Sequence, residues 1–176
     1  MSAIGNEYGN AIFLLAEEEG MLDEVMIGLD SCRKIFEENP EYRDFLGTPS
    51  IPIGERLDAV RSAFDGKLPD RVTDFVCLLT ERGYIRFFPD CVENFENEYN
   101  RRFDIAVADV VSAKPLGVSE RQALRDTLEA RTARRIKLNC TVDPELVGGL
   151  VVKIDGKLFD GSIRARITDI LEEMTK

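Results

Sequence analysis

The spacing of apolar residues changes once along this 176-residue chain, and the change dictates two kinds of structure in series. Up to about residue 102 apolar side chains recur three and four apart, the period of helices that each bury a stripe. From residue 105 they fall in short β-branched runs and at alternate positions, the signature of half-buried strands. The chain is therefore expected to be mostly α. An N-terminal bundle of five or six helices over residues 1–104 is followed by a small α+β C-terminal domain over residues 105–176.

In the first part, Ile4, Tyr8, Ala11, Ile12 and Leu15 form one stripe of a helix over 4–19. Phe13 and Leu14 lie off that stripe, so this helix is apolar on more than one face, and Gly20 stops it. Leu22, Val25, Met26, Leu29, Ile35 and Phe36 mark a second helix, closed by Asn39-Pro40. A short helical turn fits Glu41–Leu46. Ile53, Leu57, Val60 and Phe64 place a helix over 53–64 after a loop with two prolines. Pro69 suits a first helical turn, before Val72, Phe75, Val76 and Leu79 and a stop at Gly83. Ile85, Phe88, Val92, Phe95 and Tyr99 give the cleanest seam.

In the second part, Ile105–Val111 reads as a strand, and Ser119-x-x-Gln122 reads as the capping box of a helix in which Leu124 and Leu128 face inward. Ile136, Leu138, Cys140 and Val142 alternate with polar residues and predict a half-buried strand. Leu150–Ile154, Asp155-Gly156 and Lys157–Phe159 predict a hairpin. Asp160-Gly161-Ser162 would cap a last helix bearing Ile163, Ile167, Ile170, Leu171 and Met174.

Charge divides at the same place. Residues 1–104 carry 11 Lys/Arg against 22 Asp/Glu, a net of -11, and residues 105–176 carry 12 against 11, a net of +1. Different partners for the two parts are expected, and an acidic first part does not suit a phosphate backbone or anionic lipid. The chain has no His, which removes Ser-His and Cys-His nucleophile pairs and the commonest metal ligand. Cys32, Cys77, Cys91 and Cys140 show no zinc spacing and sit among apolar neighbours, so free buried thiols in a reducing compartment are expected. Asn139-Cys140-Thr141 matches a glycosylation sequon, which a cytosolic chain would leave unused. No run approaches the roughly 18 apolar residues that a membrane-spanning helix needs. The first residues lack a basic region followed by an apolar core, so no signal peptide is expected.

Catalytic signatures are absent: there is no phosphate-binding glycine loop and no dinucleotide fingerprint. Glu17-Glu18-Glu19 and Glu37-Glu38 read as solvated helix ends. Arg131, Arg134, Arg135 and Lys137 follow a helix C-terminus, where cations offset the dipole. Arg164 and Arg166, near the start of the last helix, suit an ion pair or a partner acid instead. Gly148-Gly149 and Asp160-Gly161-Ser162 read first as turn and cap chemistry. No catalytic residue, cofactor or metal is expected.

The run from Val142-Asp143-Pro144-Glu145 through Gly148-Gly149-Leu150-Val151-Val152, Asp155-Gly156, Asp160-Gly161-Ser162 and Arg164-Ala165-Arg166 resembles the C-terminal signature of the delta subunit of the bacterial F-type ATP synthase. That family includes the mitochondrial oligomycin-sensitivity-conferring protein. Tyr8-Gly9-Asn10-Ala11-Ile12-Phe13 is similar to the family's Tyr-Ala-x-Ala-Leu-Phe, with Gly9 for the usual Ala and Glu7 for a frequent Arg. Leu78-Leu79-Thr80-Glu81-Arg82-Gly83 is similar to its leucine-rich stretch ending in Gly-Arg, with Tyr84 for that Arg. Val110-Val111-Ser112-Ala113-Lys114-Pro115-Leu116 is similar to its Ser-Ala-x-Pro-Leu.

The resemblance implies a non-catalytic stator subunit supporting proton-driven ATP synthesis. Residues 1–104 would form an N-terminal six-helix bundle that grips N-terminal helices of the alpha subunits of the catalytic head, through Tyr8, Ala11, Ile12, Leu15, Val76 and Leu79. Residues 105–176 would hold the b subunits of the peripheral stalk, through Gly148, Gly149, Asp160, Gly161, Ser162, Arg164 and Arg166. One copy per complex is expected, with no nucleic acid and no membrane insertion, at the cytoplasmic face of the plasma membrane. Charge substitutions at Ile12 or Leu79 are expected to weaken head binding while leaving the fold intact. An RNA- or protein-binding helical regulator is the alternative reading, for which only residues 131–137 offer a basic stripe. A small enzyme working without His ranks behind both.

Overall fold

Ser2 opens the first helix: its hydroxyl accepts the Gly5 amide at 3.0 Å, meeting one of the donors a helix start leaves without a partner. The computed structural model describes residues 2–146, 148–154 and 156–160. Helices α1 (Ala3–Glu18), α2 (Leu22–Glu38), α3 (Pro40–Gly47), α4 (Ile53–Phe64), α5 (Asp70–Glu81) and α6 (Phe88–Arg102) follow in order, with a 3-10 turn at Ile85–Phe87 before the last. Both α1 and α5 close with a paired hydrogen-bond motif. The Met21 amide reaches Ala16 O at 2.8 Å and the Tyr84 amide reaches Leu79 O at 2.7 Å, so orphan carbonyls are satisfied.

The helices enclose a phenylalanine-rich core. Phe36 stands perpendicular to Phe88 at 5.1 Å between centroids, and Phe13 meets Phe95 edge-on at 5.6 Å. Each buried ring contributes about 1.5–3 kcal/mol relative to exposure. Two details depart from the sequence expectation. Ile53 is exposed, and Arg56 is buried one turn on. The Arg56 guanidinium donates to Leu46 O at 3.0 Å and Ile51 O at 3.1 Å, satisfying one carbonyl in the last turn of α3 and one in the loop after it. Pro69 stands just outside α5 in an extended conformation rather than in its first turn.

After α6 come β1 (Ile105–Ser112), α7 (Val118–Thr132), β2 (Arg135–Val142), β3 (Leu150–Ile154) and β4 (Lys157–Asp160). The four strands lie in the order β2-β1-β3-β4; β1 and β2 are parallel and the other pairs antiparallel. Register places Ala106 beside Ile136, Ala108 beside Ile154 and Val110 beside Val152. These form one buried face with Leu128, and Leu124 packs against it. Ile154 pairs with Lys157 in the expected hairpin, and Asp155 lies outside the described residues. Val142, expected inward, is exposed at the end of edge strand β2, and Cys140 is half-buried.

The predicted capping box is displaced. Helix α7 begins at Val118, and the Glu120 carboxylate accepts the Gly117 amide at 2.7 Å; Gln122 instead donates to Asp126. The chain divides into two compact units, residues 1–99 and 100–176, a division that falls inside α6.

Candidate partner-binding grooves

Helix α1 lies so close to α6 that two positions exclude any side chain. A Cβ at Gly9 would stand 2.5 Å from the Cys91 carbonyl oxygen, and one at Gly5 2.3 Å from Asp90 Cβ. Glycine is required there for backbone approach. The Ser2 amide donates to Asp90 Oδ2 at 2.8 Å and ties down the start of α1. Hydrogen bonding from Ser2 holds the Asp90 carboxyl below its ordinary range.

With Gly5, Gly9, Phe13 and Ala16 turned inward, Tyr8, Ala11, Ile12 and Leu15 form one wall of a groove of about 190 Å³. The other wall is α5, through Arg71, Asp74, Phe75 and Leu78. The floor is closed: Ile12 is 4% exposed and Phe75 6%. The rim is open, with Leu15 at 40% and Leu78 at 37%. Leu14, at 53%, extends the apolar surface outward.

The two ends of the groove differ. At one end Tyr8 meets Tyr84 edge-on, centroids 5.6 Å apart. At the other, the Arg71 guanidinium grips Glu19 through two hydrogen bonds, Nε to Oε2 at 2.8 Å and Nη2 to Oε1. That contact joins the C-terminal end of α1 to the first turn of α5, so the two helices run antiparallel. Hydrogen bonding to Glu19 and then its charge, with Asp74 and Asp70 adding, raise the pKa of Arg71 and hold it firmly protonated.

The expected site residues separate accordingly. Tyr8, Ala11, Ile12 and Leu15 come together. Val76 and Leu79 do not: both are 0% exposed, enclosed in the core on the adjoining face of α5. Phe75 and Leu78 take their place. The expectation that a charge at Ile12 or Leu79 would spare the fold therefore fails, since both side chains are buried. Residues 71, 75 and 78 repeat at helical spacing, as 72, 76 and 79 also do. The two sets lie on adjoining faces of α5, and helical spacing alone fits either.

In the second unit, Gly148 and Gly149 line a cleft of about 670 Å³. Its other walls are Lys114, Pro115 and Leu116 from the loop after β1, and Ala123, Leu124 and Thr127 from α7. Asp160 ends β4, opposite Val151. Gly161, Ser162, Arg164 and Arg166, and the predicted last helix, lie outside the described residues. Arg134, one of the basic group, pairs with Asp104 at 2.7 Å. Among the described residues, no group of three or more His, Cys, Asp or Glu could hold a metal ion, and no helix is long and apolar enough to cross a membrane.

The family model for the ATP synthase delta (OSCP) subunit matches residues 4–174. The chain belongs to that family. The "ATP synthase subunit delta" of Halalkalibacterium halodurans is 30% identical over 98% of this chain and 94% of its own length. The protein of that name from Priestia megaterium is 31% identical over 96% and 93%. The one from Prochlorococcus marinus is 28% identical over 100% and 97%. A chain from the Toxoplasma gondii mitochondrial ATP synthase hexamer shares the fold, with a TM-score of 0.72 over 99% of both chains at 18% identity. As a delta-family subunit this chain is a structural, non-catalytic part of F-type ATP synthase, linking peripheral stalk to head, and is peripheral to the membrane. Two departures from the family pattern have local causes. Gly9 is where α6 leaves no room for the usual Ala, and Tyr84 packs on Tyr8 at the end of the groove.

Proposed function

We propose that the delta-family chain joins head to stalk through these two surfaces. The α1–α5 groove takes the N-terminal amphipathic helix of an alpha subunit, and the cleft beside Gly148-Gly149 takes the end of the b-subunit stalk. The observation that carries this reading is the groove itself. It has an apolar floor and rim between two antiparallel helices, and a partner helix can lay its apolar face in it. Tyr8 to Leu15 spans about 10 Å of helix rise, room for roughly two turns of a partner. One copy per complex, held at the cytoplasmic face of the plasma membrane, completes the reading.

Titration calorimetry of the full chain with a peptide of the alpha-subunit N-terminus tests the first contact. Saturable heat is expected. In Leu78→Asp, affinity should fall about tenfold or more, as for a central contact, while helical circular dichroism is unchanged. No heat at high micromolar peptide would overturn it. For the stalk, Ala123→Glu places a charge on an exposed wall of the cleft. That variant should retain its fold and lose co-purification with a soluble b-subunit fragment; unimpaired co-purification would remove the cleft from the account.

A further inference from the structure

We propose that the α1–α5 groove is directional. It seats the partner helix with a Lys- or Arg-bearing end against Glu18, Glu19, Asp70 and Asp74, and with its apolar end against Tyr8 and Tyr84. The inference rests on the reading of the groove as an alpha-subunit site and adds the chemistry and orientation of what binds.

Three observations carry it. First, the groove has unlike ends. Glu19, Asp70 and Asp74 all act on the single Arg71 at the α1 C-terminal end, and Glu18 is exposed beside them. At the other end, Glu7 and Glu81 are balanced by Arg82 and Arg86, all four exposed, and Arg86 lies over the Phe87 ring. Second, an acid of α1 stands where helix physics disfavours it. Glu18 closes the helix with no basic residue in its last turn, although the negative end of the helix dipole favours cations. Arg71 answers only Glu19 by hydrogen bond. A stabilising role within the chain therefore does not account for Glu18, whereas attraction of an incoming cation does. Third, the whole first part is acidic, at -11 over residues 1–104. A cationic partner would thus be steered toward it before the apolar contacts form.

The probe is the N-terminal alpha-subunit peptide, bound to the full chain. Charge is reversed at one end by Glu18→Lys with Asp74→Lys, and at the other by Glu7→Lys with Glu81→Lys. Reversal at the acidic end should weaken binding about tenfold and flatten its salt dependence, while reversal at the aromatic end changes it less than about twofold. Glu18→Lys improves the match to the helix dipole, so unfolding measurements should show α1 no less stable, which separates a lost contact from a lost fold. A nitroxide on the basic end of the peptide should broaden amide signals near Glu18 and Arg71 and spare those near Tyr8 and Tyr84. Binding with equal sensitivity at both ends, or with the label broadening the tyrosine end, overturns the orientation and leaves the groove reading standing. No binding of the unaltered peptide overturns both.

Discussion

Single atoms decide where α1 can sit. At Gly9 one added methyl would drive into the Cys91 carbonyl, a backbone atom that cannot rotate away. Gly9→Ala should therefore destabilise residues 1–99 by about 1–3 kcal/mol, the cost of overpacking, measured by urea unfolding followed through circular dichroism. A stability within a few tenths of a kcal/mol of the parent would mean α1 can retreat freely. Ala133 presents the opposite case. It closes α7 at φ 55°, in the left-handed region, where a side chain costs about 1–2 kcal/mol. Ala133→Gly should raise the stability of the second unit by roughly 1 kcal/mol in the same measurement. The thiols offer a pH test. Burial pushes Cys32 and Cys91 from an ordinary 9.0 up to about 12. It likewise lifts Tyr42 to about 12, with Cys32 and Cys77 adding. A folded thiol then keeps a proton that the unfolded one releases. This contribution to stability is complete below about pH 9 and is lost as pH climbs toward 12. Denaturant midpoints should fall across that window, and half-buried Cys140 should react with a thiol reagent before the other three.

At the scale of elements, period and breakers were enough to place the described helices and strands, because each element's apolar spacing reflects one buried face. Which face was buried was not always legible. Helix α5 carries Leu78 beside a face of Phe75, Val76 and Leu79, and only packing against the remaining helices buries those three and leaves Leu78 on the rim. Burial of Arg56 is not written in apolar spacing, because what holds the side chain inside is a pair of carbonyls, those of Leu46 and Ile51. The α7 cap was misplaced because Glu120, not Ser119, reaches the first free amide. The choice of face in α5 gives a sharp contrast. Leu79→Ala, in the core, should cost about 2–5 kcal/mol of stability. Leu78→Ala, on the groove rim, should cost under about 1 kcal/mol yet weaken the alpha-subunit peptide. Equal stability losses would show that Leu78 is as much a core residue as Leu79. In α1, Glu18 stands out: an acid at a helix C-terminus runs against the dipole by about 0.3–1 kcal/mol, so its placement is not explained by helix formation.

For the whole molecule, the two units differ in the described parts of their cores. Among the described residues, 21 buried apolar side chains, six of them Phe, fill the first unit, against seven and no Phe in the second. The inward positions of β1 include Ala106 and Ala108, which remove little apolar area from water, and stability follows that area. The full chain should therefore unfold in two steps, residues 100–176 first, with β1 and β2 amides exchanging hydrogen before those of α5 and α6. A connector held at both ends gains stability from each partner separately, because a ligand that binds only the folded form stabilises it, by about 2.7 kcal/mol at a hundredfold excess over Kd. A soluble b-subunit fragment should raise the lower transition alone, and the alpha-subunit peptide the upper alone. If either partner moved both transitions together, or moved the opposite one, the assignment of one surface to the head and the other to the stalk would have to be exchanged or abandoned.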